Sequence, residues 1–253
     1  MLGLPDRIEA CLFDLDGVLT QTATVHAKAW KEMFDDYLRE RAKRTGDDFK
    51  PFTDADYDEY VDGKPRYDGV KSFLESRGID LPPGTPDDAP GDETIDGLGN
   101  RKNELVLALI KRDGVEPYEG SVRYVHAARD AGLRCAVVSS SANTHDVLQV
   151  TGMSDLFEAV VDGNVATREG LKGKPAPDTF LAGARLLGVQ APRAAVFEDA
   201  VAGVEAGHAG GFGHVVGVDR VGHADALKAH GASVVVRDLA ELLDHDGGGG
   251  ATA

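Results

Sequence analysis

Residues 8–17 read Ile8-Glu9-Ala10-Cys11-Leu12-Phe13-Asp14-Leu15-Asp16-Gly17, a short apolar run that stops abruptly at two acids and a glycine. Its length suits a buried strand over 8–13 rather than a helix. Further apolar runs follow at 133–138, 157–161, 194–197, 214–218 and 233–236. Stretches with helical spacing, at 120–131, 143–151, 177–187, 200–209 and 224–230, alternate with them. Continuous apolar strands separated by amphipathic helices indicate a parallel sheet covered on both faces. The expected fold is therefore α/β, with a doubly wound parallel sheet as its core.

The first strand is separated from the others by residues 20–114. There Val25, Ala29, Met33 and Tyr37 recur at four-residue steps, predicting a helix over 22–44. Helical fragments are expected near 54–61, 66–77 and 93–112. The stretch Leu81–Gly91 holds four prolines and reads as a surface loop. These patterns predict a sheet core formed by 1–20 and 115–253, an inserted helical domain over 21–114, and a flexible glycine-rich tail at 246–253.

With 27 basic and 43 acidic side chains the chain carries a net charge of −16, which argues against nucleic acid or an anionic membrane as partner. A small anionic ligand in a locally positive pocket remains compatible with it. The apolar runs are far too short to span a bilayer, and Asp6, Arg7 and Glu9 interrupt any signal-like segment near the start. A monomeric cytoplasmic protein is expected. Cys11 and Cys135 lie in apolar runs without metal-ligand spacing and read as buried thiols.

Open α/β sheets bind ligands beyond the carboxyl ends of their strands. The strand at 8–13 ends in Asp14 and Asp16, that at 133–138 in Ser139, Ser140 and Ser141, and that at 194–197 in Glu198 and Asp199; Lys174 precedes the helix at 177–187. Each residue alone has an ordinary structural explanation, such as a helix cap, a turn or a solvated charge. Together they suggest carboxylates relieved by a hard cation such as Mg²⁺. One carboxylate is then free to attack phosphorus while Lys174, Ser139 and backbone amides balance the developing charge.

Phe13-Asp14-Leu15-Asp16-Gly17-Val18-Leu19-Thr20 resembles the first motif of the haloacid dehalogenase superfamily. Ser139, Lys174 in Lys174-Pro175-Ala176-Pro177-Asp178, and Glu198-Asp199 resemble its later motifs, in the family's order. The resemblance implies a Rossmannoid core with a helical cap, Asp14 as nucleophile and Asp16 as general acid/base. It also implies Mg²⁺ held by Asp14, the Asp16 carbonyl and Asp199, with Glu198 orienting or contacting the metal shell. Within the superfamily the chain looks most like the β-phosphoglucomutases. Thr22 to Trp30 is similar to the start of their cap, where the histidine, here His26, assists catalysis. Asp62-Gly63-Lys64-Pro65-Arg66 resembles the cap loop whose Arg grips a distal phosphate, and Arg101-Lys102-Asn103 a later segment that contacts substrate. Ser141, Asn143 and Thr22 are likewise implied to bind substrate. Gln21, Ala142 and the 81–91 loop depart from the family pattern.

The expected activity is interconversion of β-glucose 1-phosphate and glucose 6-phosphate, with glucose 1,6-bisphosphate as priming intermediate. A phosphatase acting on a small sugar phosphate is the alternative. A non-enzymatic phosphoacceptor module is a remote third, since such modules are about half this length.

Overall fold

The structure is a computed structural model that describes residues 2–243; the glycine-rich tail expected at 246–253 lies outside the described residues. The chain divides into two compact units, one formed by residues up to Gln21 together with those from Val115 onward, the other by Thr22–Gly114.

Strand β1 (Ala10–Phe13) is wholly buried. The chain then enters the helical unit, which holds α1 (Thr22–Thr45), the short α2 (Asp54–Asp56), α3 (Arg66–Ser76) and α4 (Ile95–Asp113). It returns through α5 (Glu119–Asp130), β2 (Arg134–Val138), α6 (Thr144–Val150), β3 (Ala159–Val161) and α7 (Gly163–Glu169). There follow α8 (Asp178–Leu186), β4 (Ala194–Glu198), α9 (Val201–Ala209), β5 (His214–Val218), α10 (Ala224–Ala229) and β6 (Val234–Val236).

The six strands form one parallel sheet in the order β3-β2-β1-β4-β5-β6. After β1 the chain builds outward on one side through β2 and β3, then returns to build the other side from β4. The reversal falls at β1, so loops on its two sides splay apart and leave a crevice at the carboxyl edge. Register fixes what lines that crevice. Phe13 pairs with Val137 on one side and Phe197 on the other, so the residues just after β1, β2 and β4 emerge side by side.

The core beneath is dense. Leu12, Val138, Val161, Phe180, Val196, Val204 and Leu227 belong to one buried cluster. Gly183 on α8 allows that helix to sit close, because a Cβ there would lie 2.8 Å from Leu12 and 2.9 Å from Val138. Cys11 and Cys135 are buried register partners, and burial pushes the Cys135 thiol up to about 12. Both remain thiols at neutral pH.

The helical unit closes around aromatic rings. Trp30, Phe34, Phe52 and Phe73 pack with centroids 4.2–5.3 Å apart, at separations where ring pairs attract beyond simple burial. Trp30 is therefore a core residue of this unit. The buried stripe of α1 runs through Ala29, Trp30, Met33, Phe34, Tyr37 and Leu38, as amphipathic spacing requires.

Two elements differ from the sequence expectation. The helix expected over 54–61 is broken, with α2 followed by a wider π turn over Tyr57–Val61. Helix α7 was not anticipated. It has only seven residues and depends on Asp162, whose Oδ1 accepts from Val165 N at 2.7 Å. Among the described residues, no helix is long and apolar enough to cross a membrane.

Candidate active site

Asp14 is the first residue beyond β1, and its amide donates to Phe197 O at 2.9 Å. Between Asp14 and Glu198 sits the Lys174 ammonium, which donates to Asp14 Oδ1, to Glu198 Oε1 and, at 3.3 Å, to Val138 O. Asp14, Lys174 and Glu198 are all buried. The other Glu198 oxygen accepts from Ala200 N at 2.9 Å. Glu198 thus holds both Lys174 and the turn after β4, and its Oε1 fits against α9 because Gly203 has no Cβ.

Burial acts on both charge signs here. It pushes the Asp14 carboxyl well above its ordinary value; Lys174 opposes this, while Glu198 and Asp16 add to it. Burial alone would drive the Lys174 ammonium down, but Asp14 and Glu198 more than offset it and hold the group above its ordinary value. One ammonium faces several carboxylates, and the carboxylates are left with excess negative charge.

Asp199 brings a third carboxylate to the same point. Asp14, Glu198 and Asp199 can each offer an oxygen within 4.8 Å of the other two. Gly17 makes room for it, since any Cβ there would overlap the Asp199 carboxylate, and its φ of +83° suits glycine. The donors are all hard oxygens, the set a small divalent cation prefers. Glu198 has both oxygens engaged by protein donors, which leaves Asp14 and Asp199 as the better-placed ligands.

Asp16 lies beside the end of β2, with its Oδ2 3.5 Å from Ser139 Oγ. Ser139 Oγ accepts from Ser141 N at 3.0 Å, Ser141 Oγ from Asn143 N at 3.2 Å, and Thr144 Oγ1 donates to Ser141 O at 2.9 Å. The resulting tight loop leads into α6, with Asn143 at the position before its first turn. The β3 side supports it: Gly163 N donates to Ser141 O at 3.0 Å, and Asn164 Nδ2 to Ala142 O at 2.9 Å. The structure therefore brings Asp14, Asp16, Ser139, Lys174, Glu198 and Asp199 to one edge of the sheet, with Ser141 and Asn143 in the adjoining loop.

The remaining sequence candidates lie in the helical unit. Thr22 begins α1 and is buried. Lys102 Nζ lies 2.8 Å from His26 Nδ1 and 4.8 Å from the centre of the Trp30 ring. An ammonium can only donate, so Nδ1 must accept and the ring proton resides on Nε2. Arg66 opens α3, with its guanidinium 4.8 Å from the Tyr67 ring centre. It packs near Gly99, where a Cβ would meet Arg66 Cγ at 3.4 Å. Gly99 and Lys102 are three residues apart on α4 and so share a face.

Two residues that no sequence pattern singles out brace the acidic loops, Arg220 the turn after Asp16 and His223 the backbone at Asp199. Arg220 Nε donates to Gly17 O at 2.9 Å, its Nη1 to Arg237 O at 2.7 Å and to Asp238 at 3.1 Å, and the group stacks 3.6 Å over Tyr118. His223 Nε2 lies 3.0 Å from Asp199 O. No spacing signal marks either residue, because each acts on a segment distant in sequence. The only available hint was their position just after β5.

A fold of this topology, with its charged cluster at the strand ends, defines a class, and comparison agrees. The family model for haloacid dehalogenase-like hydrolases matches residues 8–211, and the chain belongs to that family. It is similar to a protein of Mycobacterium tuberculosis named β-phosphoglucomutase, 58% identical over 247 residues that span 96% of this chain and 94% of that one. The crystal structure of a β-phosphoglucomutase from Clostridium difficile superposes with a TM-score of 0.70 at 27% identity, covering 93% of each chain. A fructose-1-phosphate phosphatase of Escherichia coli is 29% identical over 82% of this chain and 95% of its own.

Proposed function

We propose that the protein transfers phosphoryl groups through an aspartyl phosphate on Asp14, and that its reaction is the β-phosphoglucomutase interconversion of β-glucose 1-phosphate and glucose 6-phosphate. The observation that carries this reading is the buried Asp14–Lys174–Glu198 chain beside the Asp199 carboxylate. The 58% identity to a β-phosphoglucomutase over nearly the whole chain supports the choice of substrate.

In this reading Asp14 and Asp199, with the Asp16 carbonyl, would hold Mg²⁺. The bound cation supplies charge neutralisation for the phosphoryl oxygens and for the crowded carboxylates. Lys174 fixes one Asp14 oxygen and keeps the carboxylate oriented for in-line attack. In the first half-reaction an Asp14 oxygen forms a bond to phosphorus of glucose 1,6-bisphosphate as the bond from phosphorus to the sugar oxygen breaks. Asp16 gives that oxygen its proton. In the second, the C6 hydroxyl of an incoming β-glucose 1-phosphate attacks the phosphorus of the aspartyl phosphate and its proton passes to Asp16; the bisphosphate so formed reorients and returns its C1 phosphate to Asp14, which leaves glucose 6-phosphate. The Ser139 hydroxyl donates to the phosphoryl oxygens throughout. Arg66 supplies a planar fork for the second phosphate, and His26 and Lys102 orient the attacking hydroxyl.

Phosphatase action uses the same first step with water as acceptor, and the similarity to the E. coli phosphatase keeps it as the second reading. Product analysis separates them. Supplied with β-glucose 1-phosphate, Mg²⁺ and a trace of glucose 1,6-bisphosphate, the enzyme is expected to form glucose 6-phosphate with little inorganic phosphate. Stoichiometric release of inorganic phosphate would replace the mutase reading with the hydrolase.

A further inference from the structure

The loop at 81–91 departs from the family pattern, yet it is firmly attached. Ile95 N donates to Pro82 O and Asp96 N to Pro83 O, both at 3.0 Å, so the loop caps the first turn of α4. Thr85 and Thr94 donate to the two Asp88 oxygens at 2.7 and 2.5 Å. On α4, Asn100 Nδ2 donates to Pro86 O at 3.0 Å and to Asp88 O at 2.9 Å. Two backbone carbonyls can only accept, which fixes the Asn100 amide with its nitrogen toward the loop. Oδ1 then faces away from the loop, and it accepts from Tyr67 OH at 3.0 Å. Having spent its proton, the Tyr67 oxygen accepts from Arg66 Nη2 at 3.0 Å. Every donor and acceptor in this relay follows from the first step.

The ring of Tyr67 fits only because α4 carries glycine beneath it. A Cβ on Gly99 would lie 2.6 Å from Tyr67 Cδ1. Arg66 is thus held by its neighbour's ring face and hydroxyl, while its Nε is buried with no hydrogen-bond partner. A buried, unpaired guanidinium N–H is costly and calls for an acceptor. The planar fork of a guanidinium matches the paired charged oxygens of a phosphate.

We propose that Tyr67 and Asn100 are positioning residues for Arg66, and that the 82–88 loop orients Asn100 and so presets the guanidinium for a second phosphate. This rests on the reading of Arg66 as a phosphate ligand. Prepaying the ordering of a long side chain leaves less to be lost on binding. The loop therefore acts on substrate affinity without touching substrate.

A double-mutant cycle tests this, reading KM and kcat for glucose 1,6-bisphosphate, with melting temperatures to check folding. Tyr67→Phe keeps the ring and removes one hydrogen-bond link. It is expected to raise KM about three- to tenfold with kcat little changed, the range that loss of one such bond gives. Asn100→Leu is expected to act in the same direction. In an Arg66→Ala background, Tyr67→Phe should have no further effect. Equal effects of Tyr67→Phe in both backgrounds, or no effect in the parent, would overturn the positioning role. If Arg66→Ala itself left KM unchanged, the reading of Arg66 as phosphate ligand would fail instead.

Discussion

Lys174 is one cation shared by two buried carboxylates, Asp14 and Glu198. Its removal is expected to cost on two counts. Lys174→Met leaves Asp14 and Glu198 buried without their counter-ion, and loss of one member of a buried ionic cluster costs about 3–5 kcal/mol. Chemical denaturation followed by circular dichroism should show a loss of this order in the sheet-containing unit, together with loss of turnover. A variant of unchanged stability would mean that the ammonium is not the charge that holds this site together. The residues meeting here were legible in the sequence because each ends a strand or precedes a helix, and a doubly wound sheet gathers such ends. Arg220 and His223 were not legible. Arg220 reaches back 203 positions to Gly17 and His223 reaches back 24 to Asp199, and no periodicity encodes either contact. Tyr67 and Asn100 escaped for the same reason, as their relay spans 33 positions.

Among the elements, the helical unit shows how short segments escape pattern reading. Helix α2 begins with a capping box: Thr53 Oγ1 accepts from Asp56 N at 3.2 Å, and an Asp56 oxygen accepts from Thr53 N at 2.9 Å. The same carboxylate pairs with Arg77 at 2.8 Å. Burial alone would raise the Asp56 carboxyl, but the Thr53 hydrogen bonds and the Arg77 charge outweigh it and hold the group below its ordinary value. The sign of the linkage follows. A depressed folded-state value adds stability above the unfolded value of about 3.9, and that stability is lost as pH falls through the folded value. Asp56→Asn should therefore destabilise the helical unit by roughly 1 kcal/mol at neutral pH, and the difference from the parent should shrink below about pH 4. The chain's single tryptophan, Trp30, lies in this unit, so its fluorescence reports the unit's unfolding directly. A difference that stayed constant with pH would show that Asp56 does not act through its charge. Long, strongly periodic segments such as α1 were legible. The π turn after α2 and the seven residues of α7 were not, because both depend on local hydrogen bonds rather than on an apolar stripe.

At the scale of the whole molecule, a chain of charge −16 that takes an anionic substrate needs its cations where they count. Each unit keeps some of them buried or half-buried: Lys174 in the sheet unit, Arg66 and Lys102 in the helical unit. The surrounding acidic surface disfavours large polyanions, while these few interior cations match a small phosphate ester. The fold class was readable because strand and helix patterns, turn signals and strand-end chemistry all point the same way. Asp14 as the transient phosphate carrier is tested by trapping the phosphoenzyme. After brief reaction with glucose 1,6-bisphosphate and Mg²⁺, borohydride reduction of an aspartyl phosphate leaves homoserine, which peptide mass spectrometry locates. Homoserine is expected at position 14, and none in the Asp14→Asn variant. Phosphate recovered on another side chain, or turnover persisting in that variant, would contradict that role.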